Sequence, residues 1–600
     1  MNNVVDNKRC RLDIPQNNPG KKALVYKNES ISYTKLKNAV ISLSEELKQF
    51  GINKGDFAAI HMPNSIDMVV SILAVLNCGA VVVPINTDIP VKQVLRILSE
   101  SEVKVVLHNR NVNHNFENIT AYCVDYRNLY KENYSGSDLF SYTSDDLAYC
   151  IFTSGSSGTP KGILLTYKGI LNHIKAKVDL LKLSSESCLC LSFNIGFVAS
   201  IWQILTPIML GATLYIYDND LIKKPYQIFE QLERDEINVV SMIPQSLYAY
   251  ISYIGSKHQK LPLPKMKQII LTGEKVDKVV VEKFYENYDH ITLINAYGQS
   301  ECSDDTFHYE IPQSFIDGDI PIGRPIPNIK YLILDENLNE VSNGEKGELC
   351  IGGVCLLQSY LNNQQLTNEK FVDVSGEFFY RTGDIVRLNL NNDVVYLGRA
   401  DNQIKIRGHL VEPEEIEAHL NQIAGINQAI VIAVEANGID KILAAYYTSD
   451  NTINAKEITE SLTAKLPAYM IPVVFKRIES FFLNSNGKVE RKRVSECVEI
   501  KHPESKAEAS DSNEPLDDIQ KRAYAVIVST LCEKFKDNIS IETDLIAIGL
   551  DSISFIQTVV NLENEFDFEF DDEKLLITEF PTVRSMIEYI ESKVNETHSI

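Results

Sequence analysis

The stretch from Thr153 to Gly162 brings backbone amides, hydroxyl groups and one cation together. It consists of Thr153, Ser154, Gly155, Ser156, Ser157, Gly158, Thr159, Pro160, Lys161 and Gly162. Its glycines let the backbone approach an anion closely, its hydroxyl groups donate hydrogen bonds, and its lysine adds a positive charge. The stretch therefore predicts a binding site for phosphate groups.

The spacing around the lysine differs from that of the common nucleotide-binding loop, in which glycine precedes the lysine and Ser or Thr follows it. Here Pro160 and Gly162 flank Lys161, which disfavours a Walker-type ATPase. A flexible linker rich in Ser and Gly is the alternative. However, the apolar run Leu147–Phe152 predicts a buried strand, and Thr166–Leu181 predicts a helix. We therefore expect a glycine-rich turn that leads from a strand to a helix and holds phosphate.

Composition and charge limit the class of protein. The 600 residues are 44% hydrophobic and 23% charged, as in soluble globular proteins. No apolar run approaches the ~20 residues needed to span a bilayer, and the amino terminus lacks a signal-peptide pattern. We expect a cytoplasmic enzyme without a membrane partner. The 11 cysteines are scattered singly beside only 11 histidines, so neither a zinc site nor a disulfide framework is expected.

The negative charge is unevenly distributed. The net charge of −23 argues against nucleic acid as a partner. From Leu516 to Ile600 there are 18 acidic and 7 basic residues, so nearly half of the excess lies in the last seventh of the chain. This end of the chain is predicted to be a separate acidic module.

Apolar runs alternate with amphipathic segments before the phosphate stretch, from Ala23 to about Leu107. Tyr33–Phe50 and Asn64–Asn77 have helical periodicity, and each is followed by a short apolar run, Phe57–Ile60 and Ala80–Pro84. Such alternation is typical of an α/β fold with a largely parallel sheet.

Further segments, in order and spacing, resemble the motifs of the adenylate-forming (ANL) superfamily, which includes acyl-CoA ligases, luciferases and adenylation domains of nonribosomal peptide synthetases. They are Phe197–Trp202, Asn295–Glu301, Gly347–Gly353, Tyr380–Asp384, Gly398–Gly408 and Asn486–Lys492. Gln299 and Ser300 depart from the Pro and Thr of the family pattern. The resemblance covers nearly the whole chain. It implies a multidomain α/β protein with a large adenylation subdomain and a small α+β subdomain.

The resemblance also implies roles for individual residues. Lys488 and Glu301 resemble the catalytic lysine and the magnesium-binding glutamate, with ATP and Mg²⁺ as cofactors. The nucleotide-binding positions are Asn295, Tyr297, Gly298, Ser300, Asp384 and Arg399, and the phosphate positions run from Thr153 to Lys161. Asp401 matches the hinge between the subdomains, and Gly408 matches the loop that serves thioester formation.

The acidic end of the chain resembles a carrier protein. Lys501–Pro515 is polar and without periodicity, which predicts a linker, whereas Leu516–Phe535 and Pro581–Val594 have helical patterns. Ser552 follows Gly-Leu-Asp and matches the serine that receives 4′-phosphopantetheine in an all-α, four-helix carrier domain. A plain helix-capping serine is the alternative, and both roles are compatible.

We therefore predict a large subdomain over residues 1–398, a small one over 399–497, a linker over 498–515 and a carrier over 516–597. The implied function is ATP-dependent activation of a small carboxylic acid and its loading on the fused carrier. The expected partners are a phosphopantetheinyl transferase and a separate condensing or acyl-transferring enzyme, since no condensation or thioesterase motif is present. The need for an MbtH-like activator is left open. An acyl-CoA ligase and a non-catalytic scaffold are the rival interpretations.

The substrate pocket departs from that of α-amino-acid-activating members. The positions inferred from the resemblance are Val198, Ala199, Trp202, Ser241, Ile270, Thr272, Ala296, Asp304 and Asp305. Val198 replaces the aspartate that binds the α-amino group, and an aliphatic side chain cannot replace a charge-assisted bond. Asp304 and Asp305 require a cationic partner if they are buried. We therefore hypothesise a β-amino acid such as β-alanine. If the two acids point outward, an aryl, hydroxy or keto acid fits equally.

Overall fold

The structure is a computed structural model of the chain. It describes residues 10–11, 14–15, 18–110, 119–129, 141–153, 160–257, 260–314, 318–406, 408–436, 440–449, 453–478, 481, 491, 494, 518–535, 539–541, 543, 545, 552–566, 568, 570, 580 and 582–597. Ser154–Thr159, Lys488 and the predicted linker lie outside the described residues, and the side chain of Ser552 is not described. The chain divides into two compact units: Met1–Leu247 with Leu261–Glu415 and Ala464–Tyr469, and Tyr248–Lys260 with Ile416–Thr463 and Met470–Ile600.

A seven-stranded sheet in the first unit carries the phosphate stretch. Its strands, in spatial order, are Ser359–Tyr360, Lys161–Thr166, Leu147–Thr153, Val81–Pro84, Phe57–Ile60, Val105–His108 and Thr120–Cys123. The last five strands are parallel, and the first two pair antiparallel at the edge. The strand Val81–Pro84 is buried at every position, as expected for a parallel strand covered on both faces.

A nine-stranded sheet in the same unit carries the predicted substrate pocket. Its strands, in spatial order, are Arg324–Pro325, Asp304–Ile311, Thr292–Gln299, Gln268–Leu271, Val239–Met242, Cys188–Leu191, Thr213–Ile216, Lys22–Tyr26 and Glu29–Ser32. Its central pairs are parallel, and the strands at both edges are antiparallel. The pocket residues that follow the parallel strands therefore meet at one edge of the sheet.

Smaller sheets complete the described strands. An antiparallel sheet contains Ile329–Leu334, Gly347–Gly353, Phe371–Val374, Glu377–Leu388 and Val394–Arg399. Two-stranded pairs join Cys10–Arg11 with Ser141–Tyr142, and Ile404–Ile406 with His409–Val411. In the second unit, Ile426–Ala436, Asp440–Ser449 and Val474–Arg477 form a three-stranded sheet.

Helices surround these sheets. Those of the first unit are Tyr33–Gln49, Ile66–Asn77, Val91–Glu100, Tyr167–Leu181, Ser200–Leu210, Asn219–Ile222, Pro225–Arg234, Lys278–Asn287 and Gln364–Lys370. Pro244–Lys257 and Pro413–Leu420 contain residues of both units, Ala455–Thr463 belongs to the second, and Tyr126–Asn128, Ser300–Cys302 and Ala468–Met470 are single 3₁₀ turns. Among the helices that the structure describes, none combines the length and the apolar character that a membrane crossing requires.

The acidic end of the chain is helical. The described helices are Asp518–Phe535, Ser552–Phe566 and Val583–Thr597. Ile527, Phe555, Leu562 and Ile590 are among the residues of its apolar core, each at most 1% exposed. The predicted fold class, α/β with a small α+β subdomain and a helical carrier domain, is confirmed.

Most predicted elements agree with the structure to within two residues or so. The predicted helices Tyr33–Phe50 and Asn64–Asn77 are observed as Tyr33–Gln49 and Ile66–Asn77. Ser65 caps the second helix by accepting a hydrogen bond from the Met68 amide at 3.2 Å. The predicted domain boundaries stay predictions, and the first compact unit extends past residue 398 to Glu415.

Candidate active site

The phosphate stretch lies in a different setting from the predicted one. Leu147–Thr153 is a strand as predicted, but Lys161–Thr166 is a second strand antiparallel to it, with Lys161 opposite Thr153. The helix begins only at Tyr167, after this second strand. The expectation that a helix amino terminus supplies part of the phosphate site is therefore wrong, because a β-strand comes between the turn and the helix. The turn itself, Ser154–Thr159, lies outside the described residues.

The Lys161 ammonium already has an anionic partner. Its Nζ lies 3.0 Å from Glu412 Oε1, and the two side chains are 12% and 4% exposed. Gln403 donates a second hydrogen bond to the same carboxylate oxygen at 2.6 Å. Glu412 follows the predicted hinge at Asp401, so this contact joins the predicted phosphate lysine to the segment beyond the hinge.

Several predicted nucleotide residues converge on Asp384, which is fully buried. Its Oδ2 accepts hydrogen bonds from the Tyr297 hydroxyl at 2.5 Å and from the Gln299 amide at 2.9 Å. Its Oδ1 lies 2.9 Å from Arg399 Nη1. Hydrogen bonds and paired carboxylates raise the pKa of Arg399 above its usual value despite burial. Arg399 also forms a two-pronged ion pair with Asp401, at 2.6 and 2.7 Å.

The Gln299 contact explains one departure from the family pattern. The amide that stands where the family has proline donates to the predicted ribose-binding carboxylate of Asp384. In contrast, the Asn295 side chain donates a hydrogen bond to the carbonyl oxygen of Pro321 at 2.7 Å. This bond holds the backbone at Pro321 beside Asn295. Asn295 therefore has a described structural role beside its predicted nucleotide role.

Glu301 lies in the 3₁₀ turn Ser300–Cys302 and is 6% exposed. Its Oε1 accepts a hydrogen bond from the Tyr360 hydroxyl at 2.9 Å, which fixes the orientation of the carboxylate. A single buried carboxylate at the wall of a cavity suits Mg²⁺, which usually binds to one or two carboxylates together with substrate phosphates and water.

A cavity of about 160 Å³ adjoins these groups. Its wall includes Glu301, Gly298, Ser300 and Thr153 from the predicted phosphate and nucleotide sites. Three of the nine predicted pocket residues, Val198, Thr272 and Asp304, also line it. The other six are buried, at most 2% exposed: Ala199, Trp202, Ser241, Ile270, Ala296 and Asp305.

The hairpin that carries Gly408 closes one side of the cavity. A Cβ atom on Gly408, whose φ is +80°, would lie 2.9 Å from Ile243 Cγ2 and 3.0 Å from the Phe197 ring. Only glycine fits such an approach in this conformation. The Gly408 amide donates to Glu274 Oε1 at 3.1 Å, and the His409 ring stacks on Tyr469. The predicted thioester-forming loop therefore packs directly on the pocket wall.

The two adjacent acids have different surroundings. Asp305 is paired with Lys177, whose Nζ lies 2.6 Å from Oδ2, and its Oδ1 accepts a hydrogen bond from Thr272 at 2.9 Å. Asp304 has no such bond on Oδ2 among the described residues, and the nearest described cation-forming group is His173 at 3.7 Å. The cationic partner that the sequence argument required is therefore part of the protein for Asp305. The prediction that Asp305 is available to bind the substrate is corrected: its carboxylate is already paired with Lys177.

Electrostatics separates the two acids further. Lys177, together with the imidazole rings of His173 and His308 at 3.8 Å, holds the pKa of Asp305 well below its usual value, although burial opposes them. Burial and the charge of Asp305 raise the pKa of Asp304 well above its usual value. Burial lowers the pKa of His173, and burial together with Lys177 lowers that of His308 to about 4.

Sequence reasoning missed Lys177, His173, Lys405 and Glu412. Lys405 is half-buried in the cavity wall, with its Nζ 5.4 Å from the centre of the Tyr297 ring. A signal for two of them was available, because His173 and Lys177 are four residues apart on an otherwise apolar face of a predicted helix. Glu412 and Lys405 gave no such signal, since their partners are distant in sequence.

Comparison with protein families decides the identity of this site. A family model described as "AMP-binding enzyme" matches residues 13–361, more than half of the chain. The chain belongs to the AMP-binding enzyme family. A second model, described as "Phosphopantetheine attachment site", matches residues 525–590 of this AMP-binding enzyme. The predicted adenylate-forming ligase with a fused carrier domain is confirmed, and the two families imply ATP and 4′-phosphopantetheine.

Individual relatives agree with this assignment. The AMP-binding enzyme is 30% identical to tyrocidine synthase 1 of Brevibacillus parabrevis over 96% of its own length and 52% of that protein. It is also 30% identical to the zwittermicin A synthase ZmaJ of Bacillus cereus, over 79% of this chain and 91% of that one. The chain therefore spans about half the length of some curated relatives that it matches.

A solved structure shares the fold. Holo-PA1221, a nonribosomal peptide synthetase protein containing adenylation and carrier domains, superposes with a TM-score of 0.76 at 19% identity. The match covers 96% of this chain and 94% of that one. The likeness thus extends over the adenylation and carrier parts together.

Proposed function

We propose that the enzyme activates a carboxylic acid without an α-amino group and loads it on its own carrier domain. The best candidate for this acid is a β-amino acid such as β-alanine. One observation carries this proposal: the same cavity wall holds the aliphatic Val198 and the buried carboxyl group of Asp304. Val198 offers no charge to an amino group on the α-carbon. Asp304 offers a hydrogen-bonding partner to an amino group placed farther along the substrate.

The first half-reaction joins the substrate carboxylate to the α-phosphorus of ATP. An oxygen–phosphorus bond forms, the bond to pyrophosphate breaks, and an acyl-adenylate results. Two anions must approach each other, so positioning and positive charge lower the barrier. Lys161 and the turn before it would hold the outer phosphates, and Lys488 would stabilise the developing charge at the α-phosphate. Asp384 and Tyr297 would orient the ribose and adenine.

Mg²⁺ bound at Glu301 would neutralise phosphate charge. The hydrogen bond from Tyr360 restrains the carboxylate of Glu301, a residue that lines the cavity together with Ser300. This arrangement supports the proposed role of Glu301, because the acid is held in place before nucleotide and metal arrive.

In the second half-reaction a thiol loses its proton and attacks the acyl-adenylate: a carbon–sulfur bond forms, the acyl–phosphate bond breaks, and AMP leaves. When attached to Ser552, 4′-phosphopantetheine supplies that thiol. Ser552 begins the helix Ser552–Phe566, a position that suits a modified serine. The packing of Gly408 on Phe197 and Ile243 supports a role for the hairpin in this step, since it lies against the cavity in which the adenylate would form.

The proposal includes the partners that such a loading module needs. A phosphopantetheinyl transferase would modify Ser552, and a separate condensing or acyl-transferring enzyme would take the loaded acid. The acidic carrier favours basic docking surfaces on both partners. We further propose that these reactions occur in the cytoplasm, and an MbtH-like activator is to be included in the assays.

ATP–pyrophosphate exchange tests the substrate class. The purified chain is assayed with β-alanine, 3-aminobutyrate, L-alanine, 3-hydroxypropionate, benzoate and pyruvate, with and without an MbtH-like protein. We expect exchange with the β-amino acids and none with L-alanine. Exchange with the hydroxy, aryl or keto acid instead would replace the β-amino acid by that class, and exchange with L-alanine would refute the argument from Val198.

Mass spectrometry tests the loading step. The chain is treated with a phosphopantetheinyl transferase and coenzyme A, then with ATP and the accepted acid, beside a Ser552→Ala control. We expect the added mass of the acyl group on the wild-type carrier alone. Release of free acyl-CoA without carrier acylation would favour an acyl-CoA ligase.

A further inference from the structure

One face of the helix Tyr167–Leu181 packs unusually closely on the strand that carries the two acids. Gly169, His173 and Lys177 recur at intervals of four residues and share this face. A Cβ atom on Gly169 would lie 2.2 Å from Ser303 Oγ, so any other residue would force the Ser303 side chain or the helix to shift. The close approach brings His173 and Lys177 against the residues after Ser303.

Lys177 is fully buried among these residues. Its ammonium group lies 2.6 Å from Asp305 Oδ2 and 5.2 Å from the centre of the Trp202 ring, and its side chain is 0% exposed. An ionised lysine is stable at such a place only beside a matched anion. Asp305, with 2% of its side chain exposed, supplies that anion, and Lys177 neutralises its charge.

The same oxygen atom also has two histidine neighbours. Ligand atoms of His173, Asp305 and His308 lie within 4.8 Å of one another, a spacing that a metal ion could use. However, the Lys177 ammonium already lies at hydrogen-bonding distance from the shared oxygen. The cation at this site is therefore part of the chain, and a metal ion would have to displace it.

Of the two acids, Asp304 is the one that lines the cavity. Its Oδ2 is enclosed, has no hydrogen-bond partner among the described residues and lies 3.7 Å from His173 Nε2. A ligand in the cavity therefore meets the part of the Asp304 side chain that stays exposed, 8% of it. Asp305 does not line the cavity. Its Oδ2 accepts a hydrogen bond from Lys177, and its Oδ1 accepts one from Thr272.

We propose that Lys177 is a positioning residue that sets the substrate class: it neutralises Asp305 and so leaves Asp304 as the group that binds the amino group of the acid substrate. The inference rests on the proposed function, which it makes specific. The pocket then offers one carboxyl group, that of Asp304, to pair with one ammonium group of the substrate. A diamine places a second positive charge against Lys177, and the distal carboxylate of a dicarboxylic acid offers Asp304 no hydrogen-bond donor.

Substrate binding should also be linked to a proton. Asp304 is faced by Lys177, His173 and Asp305, and it shares the cavity wall with Glu301 and Lys405. Burial and Asp305 raise the pKa of Asp304 well above its usual value, so pairing of its carboxylate with an ammonium group is linked to the loss of a proton. The KM for a β-amino acid is expected to fall by up to tenfold per pH unit as pH rises toward that pKa. The KM for an acid without an amino group is expected to stay flat.

Two variants separate Asp304 from Asp305. Asp304→Asn keeps the shape of the side chain, whereas the double variant Lys177→Met with Asp305→Asn removes the ion pair as a unit. Exchange is measured with β-alanine and with propionate, which lacks the amino group. We expect Asp304→Asn to lower kcat/KM for β-alanine about 100-fold, mainly through KM, with little change for propionate. The double variant is expected to retain preference for β-alanine within about tenfold of the wild type.

The opposite pattern overturns the proposal. If the double variant loses the preference for β-alanine while Asp304→Asn retains it, Asp305 binds the substrate. Exchange with propionate and the fluorescence of Trp202, the single tryptophan of the chain, verify that each variant is folded. In Lys177→Met alone, the pH at which KM stops falling is expected to move upward, because Lys177 lowers the pKa of Asp304. An unchanged pH profile contradicts the positioning role.

Failure of the proposed function can be told apart from failure of this inference. If the wild type exchanges with a hydroxy acid and with no β-amino acid, the proposed substrate class is wrong. The same variants are then compared on that acid and on its analogue without the distal hydroxyl group. Loss of discrimination in Asp304→Asn alone still supports the division between the two acids, and loss in the double variant alone refutes it.

Discussion

Two lysine–carboxylate pairs of the candidate active site differ in how deeply they are buried and in what they join. Lys177 and Asp305 are 0% and 2% exposed and both belong to the predicted large subdomain. Lys161 and Glu412 are 12% and 4% exposed, and the predicted hinge at Asp401 lies between them in sequence. Movement at the hinge would therefore separate the second pair and leave the first intact. One pair is a fixed part of the pocket, and the other depends on the position of the segment beyond the hinge.

The same chemistry thus has two uses. A pair that never opens can set the charge of a binding pocket, since its desolvation is met by a permanent contact. A pair that opens can hand its lysine to another anion. The outer phosphates of ATP are such an anion, so Glu412 and pyrophosphate would compete for Lys161. The predictions below test whether the pairs differ in this way.

The largest effect is expected for Lys177→Met in the fixed pair. Removing one partner leaves the buried Asp305 unpaired, which costs about 3–5 kcal/mol of unfolding free energy. The measurement is urea unfolding followed through Trp202 fluorescence, which reports on the unit that contains the pair. The matched control is Lys168→Met, an exposed lysine on the same helix, for which a change below about 0.5 kcal/mol is expected.

Adding Asp305→Asn to Lys177→Met should restore most of that stability, because the unpaired charge is then absent. If the double variant is as unstable as Lys177→Met, packing of the lysine stem rather than its charge holds the helix in place. A small effect of Lys177→Met alone would mean that water reaches Asp305, and the pair would then resemble that of Lys161 and Glu412.

The sequence predicted the elements around these pairs better than the pairs themselves. Tyr33–Phe50 and Leu147–Phe152 have strong periodicity or a continuous apolar run, and both were found in place. The strand Lys161–Thr166 was missed because it is short and merges with the following helix in an apolar pattern. Its partner strands lie elsewhere in the chain, and tertiary pairing decides such a segment.

The candidate site shows the same division. Ordered motifs located Tyr297, Asp384 and Arg399, and the structure brings these three side chains together. The argument from burial also predicted that adjacent acids need a cation. It could not show that Lys177 is the partner of Asp305, because 128 residues separate the two and nothing local connects them. Contacts of this kind follow from how the helix lies on the sheet, which a motif does not encode.

A second prediction concerns the acid sensitivity of the fixed pair. Burial and Lys177 lower the pKa of His308 to about 4, whereas an unfolded histidine has a pKa of about 6.5. Between these values the unfolded chain binds a proton that the folded chain excludes. His308 therefore favours folding above pH 6.5, and this contribution is lost as pH falls toward 4. In His308→Gln, the loss of unfolding free energy between pH 6.5 and 4.5 should be smaller by about 1–2 kcal/mol.

Urea unfolding at a series of pH values, again through Trp202, measures this difference. His290→Gln is the control, since His290 is partly exposed and does not line the cavity. Parallel curves for wild type and His308→Gln would show that the buried pair accepts a protonated histidine, and the pocket would then be less rigid than its geometry indicates.

The smallest effect is expected for the pair that opens. Glu412→Gln keeps the size of the side chain but removes the charge that competes for Lys161. Adenylation should then be unchanged or faster, because Lys161 is more available to phosphate. The rate of thioester formation should fall, because Glu412→Gln weakens the contact with Lys161. That contact stabilises the conformation in which the hairpin that carries Gly408 packs on the cavity. Because Gln still offers Lys161 an acceptor, only the difference between a charged and a neutral hydrogen bond is lost, about 1 kcal/mol, and the ratio of the two rates should shift by about fivefold.

Pyrophosphate exchange measures the first rate, and single-turnover acylation of the modified carrier measures the second. Glu414→Gln is the matched control, because Glu414 lies two residues further on and accepts a hydrogen bond from the neutral amide of Asn402 at 2.9 Å. An equal fall in both rates for Glu412→Gln would mean that the carboxylate only stabilises the fold. A change in the ratio for Glu412→Gln and none for Glu414→Gln would show that the charge facing Lys161 controls the balance between the two half-reactions. The pair of Lys177 and Asp305 is not expected to have such a role.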